Sequence, residues 1–205
     1  MHAQALTKEA TALFQKLSRF EGFYLVGGTA LALQIGHRLS VDLDLFSTTP
    51  LESNLLQKIK RIWEGAALQV TYRAPEQINL IVNNVKVTFF NYPYAPVLQF
   101  ASLYDFPIVS VPEIAAMKAF AIGKRLSYKD YVDWYFMLHE QQVTLPQVIE
   151  IAKKKYGGEF NDRLFLGQLV SFGDVATQKI DFLRGPVERE EIEQFLTSTV
   201  ANFPL

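Results

Sequence analysis

With 205 residues, 49% of them hydrophobic, the chain is long and apolar enough to bury a sizeable core, as one large domain or a compact pair of subdomains. Its formal charge of −1 excludes the overall basic field of an indiscriminate nucleic-acid binder, so any such substrate is expected on local basic clusters. The lack of cysteine excludes disulfides, thiolate zinc sites and cysteine catalysis.

The opening residues, MHAQALTKEATALFQKL, have neither the basic start nor the apolar core of a signal peptide. No apolar run approaches membrane-spanning length, so a cytoplasmic protein without a membrane partner is expected. Leu6, Ala10, Leu13, Phe14 and Leu17 predict an amphipathic helix over Ala5 to Phe20, broken by Gly22. Phe23 to Val26 is a short apolar strand, followed by Gly27, Gly28 and a helix over Thr29 to His37. Val41 to Phe46 alternates as a strand does, and Leu51 to Trp63 reads as a helix. Strands are predicted over Leu68 to Arg73, Ile78 to Val82 and Val85 to Asn91, the last two joined at Asn83-Asn84. Pro93 and Pro96 end that pattern.

Pro112 and Glu113 suit the first turn of a helix, expected over Glu113 to Arg125. Further helices are expected over Lys129 to His139, Leu145 to Tyr156, Asp162 to Val170 and Val187 to Ser198. A boundary near Ser110 therefore separates an α/β part, 1–109, from a helical part, 110–205.

The chemistry concentrates in VGGTALALQIGHRLSVDLDLF, Val26 to Phe46. Residues two apart on a strand share a face, so Asp42 and Asp44 lie side by side while Val41, Leu43 and Leu45 face a core. Two carboxylates so close repel unless protonated or bridged by a cation, and oxygen ligands favour Mg²⁺ or Mn²⁺. Gly27 and Gly28 let backbone approach a ligand, and the amides opening the Thr29 helix suit a triphosphate. His37 has no second histidine at ligand spacing and reads as structural. Lys153, Lys154 and Lys155 read as a solvated helix end, and Phe89, Phe90, Tyr92 and Tyr94 as hairpin and core packing.

A glycine turn, a helix and then Asp-x-Asp resembles the signature of polymerase-β-type nucleotidyltransferases. More narrowly, Gly27-Gly28-Thr29 followed by Arg38, Ser40, Asp42 and Asp44 is similar to the AbiEii/AbiGii toxin family. EIAAMKAFAIGKRLSYKDYVDWYFML is similar to the family's later helices, through Lys118, Arg125, Lys129, Asp130 and Asp133. The resemblance implies an α+β fold: a nucleotidyltransferase core with a mixed β-sheet, then a helical subdomain, with the active cleft between them. It implies a metal-dependent enzyme that moves a nucleotidyl group from an NTP to an RNA end, such as that of a tRNA, or to a protein hydroxyl. Such a toxin has a cognate antitoxin as partner.

By that resemblance Asp42 and Asp44 bind the metal, while Gly27, Gly28, Thr29 and Arg38 hold the nucleotide. Lys118 reaches the phosphates, although on its helix it also suits a snorkelling role. Arg38 equally complements a helix dipole without any ligand. The superfamily's third carboxylate is expected on the strand Val85 to Phe90, where this chain has Thr88. Either Asp133 supplies the acid, or the fold survives as a non-catalytic nucleotide- or partner-binding module.

Overall fold

Alternating apolar residues in the first half of the chain build a mixed sheet with one dry face. The computed structural model describes residues 1–122 and 127–204. Seven strands, β1 (Tyr24–Val26), β2 (Leu43–Ser47), β3 (Leu68–Ala74), β4 (Gln77–Val82), β5 (Val85–Asn91), β6 (Phe100–Leu103) and β7 (Phe106–Val109), lie in the order β3-β4-β5-β2-β1-β7-β6. β2 runs parallel to β5 and β1 parallel to β7, whereas β1–β2 and the hairpins are antiparallel.

The expected hairpin turn is present, with Asn83 and Asn84 at φ of 47° and 65°, values that asparagine tolerates better than most residues. β6 and β7 were not expected. Their hairpin turns on Tyr104 and Asp105, at φ of 50° and 57°, with neither glycine nor asparagine to signal it.

Eight α-helices occur among the described residues: α1 (Lys8–Phe14), α2 (Gly27–Ile35), α3 (Leu55–Ile62), α4 (Val111–Ala121), α5 (Tyr128–His139), α6 (Leu145–Tyr156), α7 (Asp162–Leu169) and α8 (Arg189–Ala201). None is long and apolar enough to cross a membrane. The first expected helix is cut to seven residues and flanked by 3₁₀ turns; Thr7 caps it by accepting from the Ala10 amide. α2 ends at Gly36, whose φ of 64° is the left-handed conformation that stops a helix, so His37 lies outside it. Arg125, with the end of the helix expected over Glu113 to Arg125, lies outside the described residues.

One dry face of the sheet closes on an aromatic cluster. Phe89 has its ring centroid 5.1 Å from those of Phe20 and Phe23, and Trp63 at the end of α3 lies 5.0 Å from Phe20. The α+β architecture is complete where α2, buried on nearly all sides, packs against α4 and α5. The buried apolar cluster runs without a break from the sheet into the helices beyond residue 110.

Two expectations about charge need correcting. Glu113 is not merely a dipole-pairing acid: it is fully buried, accepts from the Val97 and Leu98 amides at 3.0 Å each, and meets Lys155 Nζ at 2.7 Å. Lys155, expected in solvent, is buried and also donates to the carbonyl of Ala95 at 2.7 Å. Lysine's long stem lets the last turn of α6 reach the loop after β5 and tie it down. Breaking a buried pair leaves a charge unpaired, so Glu113→Ala should cost about 3 kcal/mol or more. Urea denaturation measures this, and adding Lys155→Met should recover part of the loss.

Candidate active site

A cleft of about 580 Å³ opens between the end of the sheet and helices α4 and α5. Gly27, Gly28, Asp42 and Asp44 line it from one side, Lys118, Lys129 and Asp130 from the other. Asp44 sits on β2 directly beside Val26, the residue before the glycine turn. Strand β2 begins two residues later than the expected Val41 to Phe46, so Asp42 just precedes it. Leu43 and Leu45 face the core as expected, but Val41 is 41% exposed. The two aspartates remain half-buried and line the same cleft.

Each glycine has a steric reason. Gly27 has φ of 74°, and a Cβ there would lie 2.7 Å from Asp44 Oδ2, so any side chain would displace the carboxylate. A Cβ on Gly28 would lie 2.4 Å from Arg38 Nη2. The room that the glycines leave is thus taken by two of the chain's own charged groups. Val26 offers no side-chain cap to the amides that open α2.

Thr29 is 2% exposed, and its hydroxyl is engaged within the protein. It hydrogen-bonds Ser40 Oγ at 2.8 Å and donates to the main-chain carbonyl of Asp42. The Thr29 hydroxyl therefore tethers the aspartate segment, while Thr29 itself lines the cleft. The Ser40 amide is in turn held by the Ala5 carbonyl at 2.8 Å, and Leu39 and His37 are bonded through their main chains to Asp181 and Leu183.

Asp133 forms the centre of the opposite wall. It has no solvent exposure, and it accepts from His37 Nε2 at 2.7 Å, Arg38 Nε at 2.7 Å and Arg38 Nη2 at 3.1 Å. Lys118 Nζ lies 2.7 Å from its other oxygen and 2.6 Å from Asp130. Burial alone would raise its carboxyl, but the charges of Arg38 and Lys118 and the His37 bond hold it well below the usual carboxylate range. Asp133, expected to stand in for the acid missing at Thr88, lines the cleft with both oxygens already engaged. A carboxylate paired with three neighbours is a weak base, because removing it from those charges is costly.

Lys118 and Arg38 are likewise committed. With two carboxylates against two cations, and His37 pushed towards neutrality by burial, the cluster carries little excess positive charge. Thr88 is the direct neighbour of Asp44 across the β2–β5 pair, where a third carboxylate would complete a metal site. Among the described residues no group of three metal-binding side chains occurs. Three polar lining residues were missed by sequence reasoning: Lys86 on β5, Ser127 and Gln178. Only Lys86 carried a readable signal, two positions from Thr88 on an alternating strand.

The family model described as nucleotidyl transferase AbiEii toxin, type IV toxin–antitoxin system, matches residues 11–204. The chain belongs to that family. An uncharacterized protein of Aquifex aeolicus strain VF5 is 28% identical over 199 residues, 96% of this chain and 95% of its own length. Among solved structures, JHP933 from Helicobacter pylori has a TM-score of 0.62 at 17% identity, covering 96% of this chain and 92% of its own. MenT4, a nucleotidyltransferase toxin from Mycobacterium tuberculosis H37Rv, has a TM-score of 0.54 at 19% identity, covering 99% and 88%. Both structures share the fold with this AbiEii-family chain.

Two outcomes follow for the AbiEii-family site. Gly28→Ala should push the Arg38 guanidinium off its place and lower nucleotide affinity by about tenfold, equivalent to ~1.4 kcal/mol, measurable by calorimetry. His37 is held below its ordinary value mainly by burial, so as pH falls the unfolded chain takes up the proton first. Stability present above about pH 6.5 should decline on acidification, and the depressed Asp133 carboxyl adds a further loss below about pH 4. Thermal melts at graded pH check this, with His37→Gln flattening the upper part of the curve.

Proposed function

We propose that this AbiEii-family nucleotidyltransferase moves a nucleoside monophosphate from an NTP to a hydroxyl acceptor, on RNA or protein, with Asp42 and Asp44 as ligands of a divalent cation. The supporting observation is the packing of Asp44 against Gly27, which sets a carboxylate on the turn whose amides open α2. Oxygen donors of this kind fit Mg²⁺ or Mn²⁺. Such an ion, when bound, screens the phosphate oxygens and stabilises charge in the transition state.

The chain's own groups then divide the work. The first amides of α2 bind phosphate oxygens, reinforced by the helix dipole. Arg38 supports that turn from beneath Gly28, and Lys118, held by Asp130 and Asp133, presents its ammonium at the cleft wall. The acceptor oxygen bonds to the α-phosphorus as the bridge to the β-phosphate breaks and pyrophosphate leaves. Its proton passes to water, because neither Thr88 nor Asp133 is available as a base. A cytoplasmic cognate antitoxin is the partner that membership in the family suggests.

Incubation with α-labelled NTPs, Mg²⁺ and total RNA or protein should transfer label, and Asp44→Ala should reduce transfer by at least ~100-fold. Undiminished transfer in that variant would reject the site. A second reading, a non-catalytic nucleotide-binding module, is favoured by Thr88 beside Asp44. It predicts NTP binding in calorimetry with no label moved to any acceptor.

A further inference from the structure

Beyond the cleft, the same face of the sheet continues across β5 and β4, where Thr88 and Asn79 are half-buried, to the exposed strand β3. Strand register places Asp44, Thr88, Asn79 and Tyr72 in one row of direct neighbours across four strands. Neighbouring strands are about 4.8 Å apart, so the row runs about 14 Å from the carboxylate to the outer strand. The opposite face is buried under Ile78, Leu80, Val87 and Phe89, so the row looks outward.

Tyr72 reaches this face because of a local irregularity. Val70, itself exposed, pairs with the buried Leu80, yet Tyr72 pairs with Asn79, with one residue looped out between them. Without that bulge Thr71 would oppose Asn79 and Tyr72 would point to the other side. Bulges at sheet edges near sites re-aim side chains in this way. The result is an aromatic ring, 49% exposed, on the face that leads into the cleft.

The charge of the face matches. Between Leu68 and Ser102 the sole acid is Glu76, which lies in the β3–β4 turn. Lys86, exposed and one pleat from Thr88, lines the cleft itself, and among the described residues it has no carboxylate partner. One cation, hydrogen-bonding Thr88 and Asn79 and an exposed ring form a surface for stacked bases and a phosphate backbone.

We infer that this row is the acceptor track: it holds the single-stranded end of an RNA whose terminal hydroxyl enters the cleft at Asp44. The inference rests on the nucleotidyl-transfer reading and specifies its acceptor as RNA. Tyr72 stacks a base upstream of the reacting end, and Lys86 neutralises a phosphate near it.

The test uses the full chain and a fluorescent single-stranded RNA of about ten nucleotides, followed by anisotropy. Tyr72→Ala should weaken binding about tenfold while Tyr72→Phe keeps it, since stacking needs the ring and not the hydroxyl. Lys86→Gln should weaken binding and lower the slope of log affinity against log salt by about 0.7. NTP affinity should be unchanged in both Tyr72 variants, and thermal melts matching wild type show that all three fold. Binding of Tyr72→Ala and Lys86→Gln equal to wild type overturns the inference. So does a Tyr72→Ala defect confined to labelling of a protein acceptor. Asp44→Ala should still bind the RNA, so failure of transfer alone counts against the proposed reaction and not against the track.

Discussion

The buried carboxylate of Asp133 is the constraint on which the site depends. It lies on α5, far along the chain from the glycine turn, and gathers His37, Arg38 and Lys118 from two other segments. Desolvating such a charge costs several kcal/mol, and only complete pairing offsets it. The bidentate grip on Arg38 fixes the guanidinium plane, and that plane lies where a side chain on residue 28 would be. The shape of the turn at the start of α2 is thus set from the helical half of the molecule. Orientation between sheet and helices and the geometry of the candidate phosphate site are one problem with one solution.

This arrangement changes what the charges at the cleft do. Arg38 and Lys118 read naturally as phosphate ligands, yet both are saturated by carboxylates of α5. That pairing holds the shape of a region of low dielectric, where an unpaired charge is costly, and still leaves both residues lining the cleft. The glycines follow the same logic. Gly27 and Gly28 leave room for Asp44 and Arg38, so the amide-rich turn is braced by a negative group on one side and a positive one on the other.

Much of the fold was legible because local pattern and tertiary demand agreed. The alternation of β4 and β5 survives intact in their burial, and α6 occupies Leu145 to Tyr156 as its spacing predicts. β6 and β7 escaped notice because they are four residues each, contain Pro107, and turn on a tyrosine and an aspartate. In the site, Asp42 and Asp44 were readable since both sit within one short segment. The roles of Asp133, Thr29 and Lys155 were not. Each depends on a partner distant in sequence or on burial that side-chain type alone opposes, and spacing along the chain carries no record of either.

The central claim is that a metal-bound nucleotide lies between the aspartate pair and the α2 turn, with the Asp133 cluster as its frame and not its ligand. A crystal structure with Mn²⁺ and a non-hydrolysable NTP analogue tests it most directly. Anomalous density between Asp42 and Asp44, phosphates on the amides of Gly28 and Thr29, and Lys118 still paired with Asp133 are the predicted result. Metal away from those two carboxylates, or phosphates that draw Arg38 and Lys118 off Asp133, would contradict it.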